Sequence, residues 1–233
     1  MINSTEKKCL RYFSPLLRRR YIALKRKVGL VGEEYGLRPF EVHRCIFVHI
    51  PKTGGVSIAK ALFGNLAAGH CTVSDHRFFF GDDAYDSMFT FAFVRNPYDR
   101  LVSAYDFLRQ GGMTKRDRKW SEKNLTQYGS VNEFVEAWIR TENVDSWVHF
   151  RRQADFVKGK HPIDVDFIGK TENIKKDFKK VSAKIGHYKE LPHLNKSGKN
   201  KYFERLNKKS KKIINKKYKK DFELFSYKKQ NLK

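Results

Sequence analysis

Apolar positions along this chain alternate between two rhythms. Cys45-Ile46-Phe47-Val48-His49-Ile50 is a short, almost continuously apolar run, the pattern of a strand covered on both faces in a parallel sheet. Pro51-Lys52-Thr53-Gly54-Gly55 ends it, and over residues 56–63 Ile58, Ala59, Leu62 and Phe63 fall on one side of a helix. The pair then recurs. Phe89-Thr90-Phe91-Ala92-Phe93-Val94 reads as a second buried strand, and Arg95-Asn96-Pro97 turns the chain. Asn96 suits an N-cap, Pro97 the first helical position and Asp99 the first turn. Leu101, Val102, Tyr105 and Leu108 carry that helix's apolar face, and Gly111-Gly112 stops it.

Residues 113–128 are polar and charged and read as an exposed loop or lid. Ser130-Val131-Asn132-Glu133 has the form of a capping box, followed by Phe134, Val135, Trp138 and Ile139 at helical spacing. Val165-Asp166-Phe167-Ile168-Gly169 is a further strand, and Ile174, Phe178, Val181 and Ile185 mark a helix that Gly186 ends. In the Lys-rich C-terminal segment, Ile213, Ile214 and Tyr218 keep helical spacing, with Phe222, Leu224, Phe225 and Tyr227 as an anchor. Ahead of the first strand Pro39 breaks the chain. In the basic lead-in, Leu16, Leu17, Ile22 and Leu24 suit a short amphipathic helix packed on the domain, with peripheral membrane contact left open.

Strands alternating with helices predict an α/β fold with a central, mostly parallel sheet flanked by helices. In such folds ligands bind beyond the C-terminal ends of strands, where both sharp turns lie. The organisation reads as a basic N-terminal extension over residues 1–40 and a single domain over residues 41–233, long enough to bury a real core.

Charge adds a second constraint. Lys and Arg number 49 against 25 Asp and Glu, a formal net charge of +24, which predicts polyanionic company. With 14% aromatic residues the chain is not a disordered polycation. Cys9, Cys45 and Cys71 are too scattered for a disulfide framework or a zinc site, and no His/Cys/Asp cluster has ligand spacing, so no metal is expected. No run approaches the ~20 apolar residues of a membrane span. The N-terminus has neither the apolar core nor the cleavage site of a secretory signal, so a cytoplasmic location is expected. The lysine pairs 208/209, 211/212, 216/217 and 219/220 raise nucleic-acid binding as an alternative, but RNP-type, KH-type and zinc-finger patterns are missing.

The loop after the first strand has specific chemistry. A strand, a small-residue turn and a helix start expose backbone N–H groups as a concave anion site reinforced by the helix dipole. Lys52 adds a positive charge, and Thr53 and Ser57 add hydroxyls. In a Walker A loop the lysine follows the last glycine; here Lys52 precedes Gly54-Gly55, which weakens a P-loop-like kinase alternative.

Ile50-Pro51-Lys52-Thr53-Gly54-Gly55 resembles the 5′-phosphosulfate loop of sulfotransferases that use 3′-phosphoadenosine-5′-phosphosulfate (PAPS), most closely the carbohydrate group called sulfotransferase family 2. The segment from Phe91 through Arg95-Asn96-Pro97-Tyr98-Asp99-Arg100 to Ser103-Ala104-Tyr105 resembles that family's 3′-phosphate motif. Asp166-Phe167-Ile168-Gly169-Lys170-Thr171-Glu172-Asn173, Leu191-Pro192-His193-Leu194-Asn195-Lys196-Ser197 and Asp221-Phe222-Glu223-Leu224-Phe225-Ser226-Tyr227 follow in the family's order. Five motifs in register are specific. One departure is Val56, where the family usually has Thr; its backbone N–H remains, and a hydroxyl contact is absent.

The resemblance implies a P-loop-like three-layer sulfotransferase fold. It also implies in-line transfer of a sulfuryl group from PAPS to a hydroxyl of a carbohydrate acceptor, possibly anionic, with release of PAP. Carried over by motif, Pro51, Lys52, Thr53, Gly54, Gly55, Val56 and Ser57 bind the 5′ end, with Lys52 stabilising the departing charge. Arg95 and Ser103 hold the 3′-phosphate, and acceptor contacts come from variable loops that include residues 113–128. The base that takes the acceptor proton is read as His70, in the Gly69-His70 segment, with His76 or a carboxylate such as Asp75, Asp82 or Asp83 as alternatives; His149 is read as lining the acceptor cleft.

Overall fold

The computed structural model describes residues 17, 21, 37–66, 68–142, 144–187, 189–191 and 202–231. The lead-in helix expected around Leu16, Ile22 and Leu24, and residues 192–197 of the fourth motif, lie outside the described residues. The chain divides into two compact units interleaved in sequence. The first comprises Met1–Ile50, Gly54–Phe93 and Phe156–Leu194, and the second Pro51–Thr53, Val94–Asp155 and Asn195–Lys233.

The fold is α/β. Strands β1 (Cys45–Val48), β2 (Phe89–Val94) and β3 (Phe167–Lys170) form a parallel sheet in the order β1-β2-β3. In chain order the helices are α1 (Arg38–Val42), α2 (Gly55–Phe63), α3 (Val73–Phe80), α4 (Asp82–Asp86), α5 (Pro97–Arg109), α6 (Lys115–Asn124), α7 (Val131–Phe134), α8 (Ala154–Val157), α9 (Ile174–Lys184), α10 (Lys208–Lys217) and α11 (Lys219–Leu224). No described helix is long and apolar enough to cross a membrane.

In the first unit, β1 is fully buried, which is why its residues do not alternate. Phe47 lies opposite Phe91 in the parallel register, and their rings stack at 5.0 Å. Each such buried phenylalanine contributes ~2 kcal/mol. Gly169 on β3 has no Cβ because one would lie 2.5 Å from the Phe93 ring. Arg77 on α3 binds three carboxylates, Asp82 and Asp86 at 2.7 Å and the mostly buried Asp164 at 2.9 Å, tying α3 and α4 to the segment before β3.

The second unit has its own core. Tyr98, Leu101, Tyr105 and Leu108 of α5 pack with Phe134, Trp138, Phe150, Ile214, Tyr218 and Phe222. The Asn96 side chain accepts the Tyr98 N–H at 3.0 Å, so α5 begins as its sequence predicts.

Three local expectations change. Pro39 does not break the chain; it opens α1, where its missing N–H costs no helical bond. Residues 113–128 are not a loop: they contain α6, capped by a reciprocal Thr114–Asp117 box. Its buried positions Asp117, Ser121 and Leu125 recur every four residues, a helical stripe written partly in polar and small side chains that a hydrophobic count passes over. The box at Ser130 is half as predicted. Ser130 Oγ accepts the Glu133 N–H, but the Glu133 carboxylate accepts from Gly129 N–H, one residue earlier. Beyond α7 the backbone widens into a π-helical turn, Val135–Ile139.

Candidate functional site

The expected site residues divide between the units. In the second unit lie Pro51, Lys52 and Thr53, with Arg95 at the start of the turn before α5 and Ser103 on α5. Lys52 has φ +67°, left-handed backbone that costs a side-chain-bearing residue ~1 kcal/mol or more, so the surrounding bonds have to impose it. Arg100 supplies one of them. Its guanidinium, 1% exposed, donates to the carbonyls of Pro51 (3.5 Å), His149 (3.2 Å) and Arg151. A buried cation answered by carbonyl dipoles pins the turn that presents Lys52.

Arg95 is held from behind. The Gln153 amide accepts the Arg95 N–H at 2.9 Å and donates to its carbonyl at 2.8 Å. Gln153 and Ala154 in turn donate their N–H groups, each at 2.9 Å, to the fully buried carboxylate of Asp221. Arg95 Nη1 also donates to the Lys52 carbonyl at 3.4 Å.

Lys52 Nζ lies 4.0 Å above the Phe107 ring, and among the described residues no carboxylate is within ion-pair distance of it. Burial and the neighbouring Arg95 charge push its pKa from 10.5 down to about 8, against the weaker pull of Asp106 and Asp117. Ser103 is half-buried one helical turn before Phe107, on the same face of α5. His149 is buried against Phe107 at 5.1 Å, with Nδ1 3.8 Å from the Asp117 carboxylate.

In the first unit lie Gly54, Gly55, Val56, Ser57 and His70. Gly54 caps α2 at φ +82°, and a Cβ on it would lie 2.7 Å from Ile174 Cδ1. A Cβ on Gly55 would lie 2.0 Å from the His49 ring, so only glycine lets the helix start this close to that imidazole. Ser57 N–H bonds the Gly54 carbonyl at 3.1 Å, while the N–H groups of Gly55 and Val56 precede the first intrahelical bond. The Val56 side chain is 38% exposed.

His70 Nδ1 is 3.0 Å from the His49 carbonyl, and the two rings meet edge-on at 4.5 Å. A carbonyl only accepts, so Nδ1 carries the proton and Nε2 is the lone-pair nitrogen of the neutral ring. His76 is fully buried, with its ring 5.6 Å from Phe40, 6.2 Å from Phe79 and 6.4 Å from Phe80.

The structure thus gathers Lys52, Arg95 and the Ser103 face of α5 in one unit, and residues 54–57 with His49 and His70 in the other. Sequence reasoning assigned no role to Arg100, Gln153 or Asp221. Two of them stand inside quoted motifs, where a charged residue within an otherwise apolar helix stripe is itself a signal of a buried ion; nothing in the sequence marks Gln153.

The comparisons with known proteins agree with these motifs. An uncharacterised protein of Archaeoglobus fulgidus is 31% identical over 112 residues, covering 48% of this chain and 78% of that relative. No solved structure matches. A family profile described as "Sulfotransferase family" matches residues 39–228, from α1 past α11. The chain therefore belongs to the sulfotransferase family, enzymes that transfer sulfate.

Proposed function

We propose that the chain transfers the sulfuryl group of PAPS to a carbohydrate hydroxyl, by in-line displacement with release of PAP. The observation that carries this is the cation pair. Burial first and the Arg95 charge second depress the Lys52 pKa, Arg95 Nη1 donates to the Lys52 carbonyl, and no carboxylate pairs with Lys52 among the described residues. Two like charges fixed together are stabilised by an anion, and a donor with a phosphate at each end supplies that complement. The N–H groups of Gly55 and Val56, left over at a helix start whose glycines admit no side chain, fit a phosphate as well. When bound, PAPS supplies the sulfuryl group and the leaving phosphate.

The chain's own residues position and neutralise. Lys52 takes up or keeps its proton beside the donor's negative charge and stabilises the charge that grows on the leaving oxygen. Arg95 and Ser103 hold the 3′-phosphate, the guanidinium bidentately and the hydroxyl as a fixed donor. His70 receives the acceptor's proton at Nε2, while its Nδ1–H bond to the His49 carbonyl fixes the ring and is retained when the imidazolium forms. The family membership favours neither nucleic-acid binding nor ATP-dependent phosphoryl transfer.

Incubation with labelled PAPS and a panel of glycans and small alcohols tests the reading: label should move to glycans, and Lys52→Ala should abolish the transfer. A protein that moves phosphate from ATP with magnesium, and nothing from PAPS, would refute it. His70→Ala should retain protection by PAP against thermal unfolding while turnover drops about a hundredfold. Near-normal turnover removes His70 from the role.

A further inference from the structure

Arg95 stands between two regular elements. It follows the last residue of β2 and precedes Asn96, the cap of α5. One buried side chain takes both of its peptide groups. Gln153 Oε1 accepts the Arg95 N–H at 2.9 Å, and Gln153 Nε2 donates to the Arg95 carbonyl at 2.8 Å. The two ends of one planar carboxamide thus imitate the double exchange of a hydrogen-bonded pair in an antiparallel ladder. The pattern also fixes which way the amide points, because an N–H needs the oxygen and a carbonyl needs the nitrogen. An ionised glutamate of the same size could only accept, and a leucine could do neither.

Gln153 is itself anchored. Residues 149–154 are held through their backbone by buried groups from two helices. Arg100 of α5 takes the carbonyls of His149 and Arg151. Tyr218 donates to the Phe150 carbonyl at 2.7 Å. Asp221 of α11 accepts the N–H groups of Gln153 and Ala154, each at 2.9 Å, and the Gln153 side chain also hydrogen-bonds that carboxylate. Arg100 and Asp221, both fully buried, act on each other as opposite charges. A carboxamide whose backbone is tied down in this way holds Arg95 against a fixed support.

The same support reaches Lys52. Arg100 donates to the Pro51 carbonyl as well as to those of the 149–154 segment, so one guanidinium joins the lysine's turn to the peptide that carries Gln153. Arg95 Nη1 donates to the Lys52 carbonyl at 3.4 Å and closes the circuit. Every member of it belongs to the second unit. The circuit therefore fixes the two cations in relation to each other, which is what a ligand with a phosphate at each end requires of them. Small displacements matter here, since a misplacement of about 1 Å can cost two orders of magnitude in an oriented contact.

We infer that Gln153 is a positioning residue that makes the 3′-phosphate a condition of tight nucleotide binding, by holding both peptide groups of Arg95 and so setting where its guanidinium stands. The inference rests on the assignment of Arg95 to the 3′-phosphate above and deepens it. Gln153 acts through Arg95 and needs no contact with the nucleotide. It sets the choice between a nucleotide that carries the 3′-phosphate and one that carries only the 5′ group.

Calorimetric titration of the full chain with PAP and with adenosine 5′-phosphate (AMP), which lacks the 3′-phosphate, tests it. Wild type should bind PAP at least about tenfold more tightly than AMP, as a charge-assisted guanidinium–phosphate contact implies. Gln153→Leu should weaken PAP binding about tenfold or more and AMP binding by less than about twofold, so that the preference collapses. Gln153→Glu keeps the acceptor and loses the donor, and should fall between the two. With PAPS as donor, KM should rise in step with the loss of PAP affinity while kcat stays within about threefold, because the 3′-phosphate is gripped equally before and during transfer. A preference that survives in Gln153→Leu, or equal losses for PAP and AMP, overturns the inference, the second outcome being that of a purely structural glutamine. Should Gln153→Leu fail to fold, Gln153→Glu decides by the same comparison: a severalfold loss confined to PAP supports the inference, and an unchanged ratio overturns it. A wild type that binds PAP no better than AMP overturns the assignment of Arg95 and the inference with it. A wild type that prefers PAP and transfers sulfate, beside variants with the same preference, overturns the inference alone.

Discussion

Replacing Lys52 by methionine should make the resting protein more stable while it abolishes turnover. The lysine's pKa falls from 10.5 to about 8 through burial and the Arg95 charge. That is a factor of roughly 300 against the charged form, or about 3 kcal/mol of folding free energy spent at pH 7. Methionine has a similar length, keeps contact with the Phe107 ring, and bears the same cost at φ +67° because both residues carry a Cβ. The sign runs as linkage requires. Between about 8 and 10.5 the unfolded chain binds the lysine proton and the folded chain does not, so wild-type stability rises with pH across that window. Urea unfolding of both proteins should therefore show the variant ahead by about 3 kcal/mol at pH 7 and by about 1 kcal/mol at pH 10. A variant less stable than wild type at pH 7, or a gap that does not close with pH, would refute the reasoning. It would mean that the lysine is solvated or already paired with an acid, and the argument for a bound anion would fall with it.

The same lysine sets a kinetic expectation: kcat/KM for PAPS should fall above pH 8, where the free enzyme loses the proton, while kcat holds to higher pH because bound donor keeps the lysine charged; parallel profiles would contradict this. Arg100→Met should cost about 3–5 kcal/mol in urea unfolding, since it strips the donor from three carbonyls and leaves Asp221 buried without its cation; a loss under 1 kcal/mol would show that the clamp is dispensable. Burial opposes the charged Asp164 carboxylate, but Arg77 outweighs it and holds its pKa below the ordinary 3.8. Wild type should lose this stabilisation as pH drops below 3.8, whereas Arg77→Gln should start lower and show a flatter acid limb in the same unfolding measurement.

Much of the scaffold is written locally. The buried run at β1, the Asn96–Pro97 start of α5 and the glycine after α9 are matters of adjacent residues and dihedral preference, so the sequence alone determines them. The loop after β1 belongs with them, because glycine is demanded at 54 by a left-handed φ and at 55 by a ring six residues earlier. The helix α6 was hidden for the opposite reason: its buried stripe uses Asp117 and Ser121, whose burial is made tolerable only by the cap and by packing. Local sequence likewise names Lys52 and Arg95 but not what they experience. The depressed lysine pKa depends on burial by distant residues and on Arg95, 43 positions away, reaching the Lys52 carbonyl. The carbonyl clamp of Arg100 and the amide grip of Gln153 on Arg95 depend on contacts of the same long range. Chemistry-bearing residue types can be read from spacing. Their electrostatic state and the shape of what they bind follow from desolvation and long-range hydrogen bonds, which exist only once the chain has folded.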